Sequence, residues 1–276
     1  MVARSRAPAD RRTAAALAAL LFAVPGAHAQ DGELRAPFIT TPPEVVARML
    51  QLAGTGPQDT VLDLGSGDGR IVIAAAREHG ARGLGIELEP KLVALARENA
   101  RRAGVADRAR FEEGDALKAD LAQASVVTLY LLPFLLDQLQ PRLLAQLRPG
   151  ARVVTHAFAF KGWMPDRSET VRISVRHEGQ GGESRIFLWV VPAQVRGAWR
   201  AAGGWRLRIQ QNFQEVEVEA ALDGRPVAVS AARLEGETLT FSGAGYAFSG
   251  LVAGDRITGG LRGAAGASTL AFERGR

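Results

Sequence analysis

Residues 60–76, TVLDLGSGDGRIVIAAA, decide the fold of this chain. The apolar run at 61–64 predicts a buried strand, and the segment rich in isoleucine, valine and alanine after Arg70 predicts a helix. Between them, Gly65, Gly67 and Gly69 stand at alternate positions and predict a tight turn. Because glycine permits positive φ and has no Cβ, such a turn brings backbone amides close to a small molecule at the helix N-terminus. The stretch therefore predicts a cofactor site, with tight packing in an α/β fold as the alternative.

The residues around the turn narrow the choice of cofactor. A phosphate-binding P-loop ends in Gly-Lys followed by Ser or Thr, whereas Gly69 is followed by Arg70 and Ile71. A dinucleotide site has the spacing GxGxxG, whereas this chain has GxGxG preceded by Asp63. An acidic residue just before the turn suits a ligand with an ammonium group, and S-adenosylmethionine carries both an ammonium and a sulfonium. The pattern favours S-adenosylmethionine.

Three segments carry a family resemblance. At DLGSGDG, residues 63–69, the chain resembles the class I S-adenosylmethionine-dependent methyltransferases. More narrowly, PFITTPPEVV at 37–46, DLGSGDGRIVIAAA at 63–76 and GIELEPKLV at 85–93 resemble segments of the ATP synthase c-subunit lysine methyltransferase family and its bacterial relatives. The resemblance spans about residues 36–192. It implies a methyltransferase that uses S-adenosylmethionine, with protein lysine as the methyl acceptor.

Acidic residues at the ends of the next two predicted strands extend the cofactor site. Ligands of open α/β sheets bind beyond the carboxyl ends of the strands, where Glu87 could accept hydrogen bonds from both ribose hydroxyls. Asp115 would accept one from the adenine amino group, or could instead cap the segment that follows it. The alternative for Glu87 is a surface glutamate. The predicted cofactor-binding set is Asp63, Gly65, Ser66, Gly67, Asp68, Gly69, Glu87, Asp115 and Ala116.

The sequence gives fewer signals for the part of the site that binds the methyl acceptor. The fourth predicted strand ends in TLYLLP, residues 128–133, without the polar-Pro-Pro-aromatic motif of many nucleic-acid and amide methyltransferases. Tyr130 could line the methyl-transfer channel or belong to the core, and it is the one weak candidate for a catalytic residue. His156 and Trp163 follow the fifth strand near the same mouth, with either a structural or a functional role. Methyl transfer mainly requires alignment and exclusion of water.

Strands and helices alternate through the first part of the chain. We predict strands at about 60–64, 83–87, 108–112, 126–130 and 152–157, and helices at about 44–53, 70–78, 90–103 and 132–147. Such alternation predicts an α/β fold with a parallel sheet covered on both faces. Further strands at about 170–176 and 185–191, joined by a turn-rich segment at 178–182, predict an antiparallel pair. The class I methyltransferase (Rossmann-like) fold has this arrangement.

The composition changes from Pro192 onward. Helical periodicity disappears, and short alternating runs occur at 207–209, 216–222, 239–241, 246–252, 257–261 and 269–272. A weak repeat relates residues 234–240 to residues 252–258 and predicts one strand-turn-strand unit used twice. We therefore predict a methyltransferase domain at 30–193 and a small antiparallel all-β domain, a sandwich or flattened barrel, at 194–276. We expect this accessory domain to dock on the first domain or on a partner.

The first 29 residues have the pattern of a signal peptide. Four arginines precede a short apolar stretch at 13–24, and Ala27-His28-Ala29 forms a cleavage site. Cleavage after Ala29 predicts an exported protein, periplasmic or secreted. An uncleaved leader that anchors the chain in a membrane is the alternative, and no other segment is expected to span one.

Composition excludes several classes of site. The chain contains no cysteine, so disulfides and thiolate chemistry are excluded, and its four histidines lack the paired spacing of a metal site. Of the net charge of +5, the leader supplies four arginines and one aspartate, or +3, which leaves +2. We therefore expect no nucleic-acid partner. Because S-adenosylmethionine is made in the cytoplasm, an exported binding protein that keeps the fold without turnover is the alternative function.

Overall fold

The structure, a computed structural model, describes residues 39–174, 182–264 and 266–275. The predicted signal peptide and most of the predicted turn at 178–182 lie outside these residues. Among the described residues, the first half contains four helices, α1 (Pro43–Leu52), α2 (Arg70–His79), α3 (Pro90–Arg102) and α4 (Pro133–Gln146). Its strands are β1 (Thr60–Leu64), β2 (Arg82–Glu87), β3 (Ala109–Glu113), β4 (Val126–Leu129), β5 (Arg152–His156), β6 (Arg167–Arg172) and β7 (Glu183–Val190).

These seven strands form one sheet in the order β3-β2-β1-β4-β5-β7-β6. The first five are parallel, whereas β7 pairs antiparallel with both β5 and β6. The predicted α/β fold and its antiparallel pair are confirmed. The predicted strand at 170–176 is displaced, because β6 pairs with β7 from Arg167 opposite Leu188 to Arg172 opposite Glu183. The strand order reverses between β1 and β4, so the switch point that binds ligands in such sheets lies there.

Alternate residues of the central strands fill two separate cores. On one face, Val61 and Val154 pack in a cluster with Met49 of α1 and Ala75 of α2. On the other face, the neighbouring residues of the same strands pack with α4, in a cluster that includes Leu62, Val153, Leu136 and Leu139. Because successive side chains of a strand point to opposite faces, both cores form only with helices on both sides of the sheet. Burial from both sides fixes the strand ends that carry the candidate site.

The second half of the chain forms a nine-stranded antiparallel sheet, which we call the β domain. Its order is β11-β10-β9-β8-β16-β15-β14-β13-β12. The strands are β8 (Gly197–Ala201), β9 (Trp205–Asn212), β10 (Glu215–Leu222), β11 (Arg225–Val227), β12 (Ala231–Glu235), β13 (Thr238–Gly243), β14 (Tyr246–Ala253), β15 (Arg256–Gly263) and β16 (Gly266–Arg274). The predicted small antiparallel all-β domain is confirmed, and of the two forms considered, sandwich or flattened barrel, the single sheet curved as a half-barrel excludes the sandwich. Both copies of the predicted repeat are hairpins, β12–β13 and β14–β15.

Two hairpins of the β domain, β12–β13 and β9–β10, contact the first half of the chain and the segment that connects the two sheets. Ala193 donates a backbone hydrogen bond to the carbonyl of Gly236 at 2.8 Å. Trp163, in the loop after β5, donates to Gln214 between β9 and β10 at 2.9 Å. Within the described residues, no helix is both long enough and apolar enough to cross a membrane.

Candidate active site

The ends of five parallel strands bring the candidate site residues to one edge of the first sheet. Across that edge, Asp115 follows β3, Glu87 ends β2, Asp63 lies in β1, Tyr130 follows β4 and His156 ends β5. The sequence order of the strands differs from this spatial order, so parallel pairing assembles the group from distant parts of the chain. The predicted cofactor residues lie from β1 to β3, and the acceptor-side candidates lie on β4 and β5.

The glycine turn after β1 depends on the absence of side chains. Gly65, Gly67 and Gly69 adopt φ values of 79°, 54° and 82°, which other residues adopt only with strain. A Cβ on Gly69 would lie 2.6 Å from Phe111 and 2.9 Å from Ala96, and a Cβ on Gly65 would lie 3.1 Å from Leu131. The turn therefore packs closely on β3 and α3 while its backbone stays at the sheet edge.

The amides of the turn are occupied within the protein. Gly65 and Ser66 both donate to the carbonyl of Ile86, at 2.8 and 3.0 Å, and Gly69 donates to the carbonyl of Ser66. The amide of Gly67 donates to Glu87 Oε2 at 2.8 Å. These four amides, which the glycine spacing predicted to lie close to a small molecule, therefore have acceptors within the protein. What the glycines provide at this edge is close approach of the backbone.

Asp63 is an ionisable group inside the central sheet. Its side chain is 3% exposed and accepts a hydrogen bond from Thr128 Oγ1 at 2.7 Å. Burial, opposed by the Thr128 bond and reinforced by the nearby carboxylates of Glu87 and Asp68, raises the pKa of Asp63 to about 7. A buried carboxylate under this constraint is stabilised by a cation brought next to it. The switch point between β1 and β4 thus favours a positively charged ligand.

Glu87 and Asp115 both hold local backbone. Glu87 accepts from the Gly67 amide with one oxygen and from the Glu89 amide with the other, at 2.8 and 3.0 Å. A carboxylate has about four lone-pair sites, so Glu87 can accept further hydrogen bonds from a diol. Asp115 accepts from the Leu117 amide at 2.8 Å, which is the capping role that the sequence left open for it. Its second oxygen lies 3.4 Å from Lys118 Nζ.

A side-chain network that the sequence did not reveal ties the lead-in segment to this edge. Arg70 makes two hydrogen bonds to the carboxylate of Asp68, at 2.9 and 2.6 Å, and donates to the backbone carbonyl of Thr41 at 2.9 Å. Asn99 of α3 donates to the Asp68 carbonyl. Asp68 therefore acts through Arg70, which holds the residues before α1 against the start of α2.

The other end of the network reaches the acceptor side. His156 is 2% exposed, and its ring nitrogens lie 3.2 Å from Thr41 Oγ1 and 2.9 Å from Ser184 Oγ. Burial lowers the pKa of His156 to about 4, so the ring is neutral at physiological pH. The ring of Tyr130 packs on it with centroids 4.0 Å apart, and burial raises the pKa of the Tyr130 phenol. Both rings are thus uncharged at the ends of β4 and β5.

The residues present fit S-adenosylmethionine better than a metal. The edge combines a buried carboxylate that favours a cation, a second carboxylate able to bind a diol, and a turn with three glycines between them. The hydroxyl of Ser66 is buried with no hydrogen-bond partner among the described residues. A Cβ on Gly85 would lie 2.6 Å from that hydroxyl, so Ser66 packs beneath the turn against β2. No group of three acidic or histidine side chains suited to a metal ion occurs in the described part of the chain.

Comparison with known proteins agrees with this fit. Residues 63–167 match the ANTKMT methyltransferase domain family. A protein-lysine N-methyltransferase of Saccharolobus islandicus is 36% identical over 156 residues, covering 56% of this chain and 93% of the relative. The ATP synthase c-subunit lysine N-methyltransferase of Mus musculus is 45% identical, and the match covers 45% of this chain but only 49% of that relative.

A solved methyltransferase structure is also similar to this chain. An RNA methyltransferase from Salinibacter ruber, in complex with S-adenosyl-L-homocysteine, is 50% identical with a TM-score of 0.51. The match covers 57% of this chain and 96% of that one. The chain therefore belongs to the ANTKMT methyltransferase domain family and is an S-adenosylmethionine-dependent methyltransferase.

Proposed function

We propose that this methyltransferase acts on protein lysine. The relatives from Saccharolobus islandicus and Mus musculus are named as lysine N-methyltransferases. The observation that carries the proposal is the neutral pair of rings, Tyr130 on His156, at the same sheet edge as a buried carboxylate that favours a cation. A lysine amine attacks only when uncharged, and uncharged, partly desolvated walls disfavour its protonated form.

The proposed cofactor site uses residues of three strands. When bound, S-adenosylmethionine supplies a methyl group already activated on its sulfonium. We assign Asp63 to the cationic part of the cofactor, Glu87 to the ribose hydroxyls and Asp115, with Ala116, to the adenine. Gly65, Gly67 and Gly69 leave space for it, Asp68 holds Arg70, and Ser66 supports the turn from beneath.

The residues on the acceptor side align the attacking amine and exclude water from it. His156 is not available as a base, because both ring nitrogens are engaged by Thr41 and Ser184. Tyr130 is the candidate that lines the acceptor channel, as a neutral phenol held by its contact with His156. Alignment of an amine with the reacting methyl group can account for a large part of the rate enhancement.

RNA is a second candidate acceptor, because the Salinibacter ruber protein is an RNA methyltransferase 50% identical to this chain. The leader carries +3 of the net charge of +5, so the rest of the chain has a net charge of only +2. Such a small positive charge does not favour binding to a polyanion such as RNA. We rank protein lysine first for that reason and because of the named relatives.

The acceptor class is tested by labelling. We expect the full chain, given S-adenosylmethionine with a labelled methyl group and the cell-envelope proteins of its own organism, to yield methylated lysine after acid hydrolysis. Asp63→Ala should abolish the label. Total RNA of the same organism is the parallel acceptor, and label on RNA that ribonuclease removes, with no methyl-lysine in the envelope proteins, would contradict the proposal and favour RNA.

The role of Glu87 is tested by Glu87→Ala. Loss of a charge-assisted acceptor should weaken S-adenosylhomocysteine binding by about 1 to 3 kcal/mol, measured by calorimetry. Glu113→Ala is the matched control, since Glu113 lies opposite Glu87 in register on β3 and is exposed. Equal effects of the two substitutions would remove the assignment of Glu87 to the cofactor.

The raised pKa of Asp63 is tested by the substitution Asp63→Asn. The pKa of Asp63 in the folded chain is about 7, against about 3.9 for an unfolded aspartate. Its stabilising contribution is therefore complete below about pH 4 and is lost as the pH rises through about 7. We expect the Tm of cofactor-free wild type to fall relative to Asp63→Asn between about pH 5 and about pH 8. Parallel Tm curves would contradict the raised pKa, and Asp137→Asn on α4 is the exposed control.

We further propose that the protein is exported after cleavage of its leader. Expressed in full in a bacterial host, it should be recovered outside the cytoplasm with Gln30 at its N-terminus, as read by mass spectrometry. An uncleaved chain in the membrane fraction would favour an anchor, and a cytoplasmic product that begins at Met1 would contradict export.

A further inference from the structure

A strained turn begins the loop that follows β5, residues 157–166, which we call the acceptor-side loop. Ala157 has a φ of 67°, a conformation that residues other than glycine adopt at an energetic cost. It is held by its amide, which donates to the Arg185 carbonyl at 2.8 Å, and by Thr155 Oγ1, which donates to the Phe158 carbonyl. The loop thus leaves the sheet directly from His156, the residue on which Tyr130 packs.

Trp163 anchors the far part of this loop. It is 1% exposed, and its backbone carbonyl accepts a hydrogen bond from Trp189 Nε1 at 3.0 Å. Its ring stacks on Phe160 of the same loop at 5.5 Å between centroids and on Phe213 at 5.7 Å. Phe213 belongs to the β domain, so one wall of the Trp163 pocket comes from the second sheet.

The next residue of the β domain completes this contact with hydrogen bonds. Gln214 accepts from Trp163 Nε1 at 2.9 Å and donates to the Met164 carbonyl at 2.6 Å. One amide side chain therefore holds two consecutive residues of the acceptor-side loop. Met164 itself is 66% exposed, so the loop is fixed through its backbone while this apolar side chain stays at the surface.

The hairpin tip that carries Phe213 and Gln214 is itself rigid. Phe213 has a φ of 53°, and its carbonyl accepts from the buried side chain of Gln211 at 2.8 Å. The same Gln211 amide also donates to the Ala193 carbonyl and accepts from the Val195 amide, both at 2.8 Å. The tip is thereby fixed to the segment that connects the two sheets. A tip fixed in this way can impose one position on the loop it touches.

We propose that Phe213 and Gln214 are positioning residues, through which the β domain holds the acceptor-side loop for the methyl acceptor. This inference rests on the proposed function, in that an acceptor must bind beside Tyr130 and His156. The cofactor residues, from Asp63 to Ala116, make none of these contacts. The β domain should therefore influence acceptor binding much more than cofactor binding.

The position of the loop can be tested without any acceptor. The chain has only three lysines, Lys91, Lys118 and Lys161, and Lys161 lies exposed in the acceptor-side loop. A lysine-specific protease applied to the full chain should cut after Lys161 about tenfold faster in Phe213→Ala and in Gln214→Ala than in wild type, because the loop opens more often. The rates at Lys91 and Lys118 should not change. Asn212→Ala, in the same hairpin, is the matched control.

The effect on function is then measured with the same variants. S-adenosylhomocysteine affinity by calorimetry should stay within about twofold of wild type, whereas the concentration of envelope protein giving half-maximal methylation should rise about fivefold or more with little change in the maximal rate. Phe213→Tyr, which keeps the ring, should behave as wild type.

Unchanged cleavage after Lys161 in both alanine variants would overturn the proposal, as would an equal loss of cofactor affinity. If an alanine variant does not fold, Gln214→Glu keeps the acceptor for Trp163 but replaces the donor to Met164 with a carboxylate oxygen that repels its carbonyl, and the same criteria apply. Should the wild type label no protein at all, the proposed function fails, while the cleavage comparison still decides whether the β domain holds the loop.

Discussion

The burial of one carboxylate at the switch point of the sheet is the constraint on which the rest of the site depends. Asp63 lies between two parallel neighbours, β2 and β4, and both faces of that sheet are covered by helices. Water cannot solvate its charge there, and Thr128 supplies a neutral hydrogen-bond donor. An apolar residue in this position would pack without the energetic cost of burying a charge. A buried aspartate is understandable if the ligand brings the compensating positive charge.

The other polar groups of the edge hold backbone segments around that carboxylate. Glu87 fixes the glycine turn and the start of α3, and the pair of Asp68 and Arg70 fixes the residues before α1. Thr41 joins this pair to His156, so the lead-in segment, the cofactor turn and the acceptor side share one network. Hydrogen bonds of ordinary length therefore join these three segments.

Local patterns in the sequence were enough to predict the strand, turn and helix around Asp63 and the acidic residue that ends β2. They depend on hydrophobic periodicity and on glycine spacing, which are read over a few residues. The bond between Thr41 and His156 joins residues 115 positions apart, and that between Trp163 and Gln214 joins residues 51 apart. No local pattern specifies such pairs. The use of the turn amides within the protein was also missed, because glycine spacing indicates where the backbone can approach a ligand but not which acceptor its amides take.

The link between burial and cofactor charge is tested most directly by counting protons on cofactor binding. Calorimetry of S-adenosylmethionine binding at about pH 7, in buffers of different ionisation enthalpy, gives the number of protons released or taken up. Wild type should release more protons than Asp63→Asn, because the cation of the cofactor lowers the raised pKa of the Asp63 carboxyl. If the two proteins bind the cofactor with equal affinity and equal proton exchange, Asp63 does not pair with it, and the assignment of the buried charge is wrong.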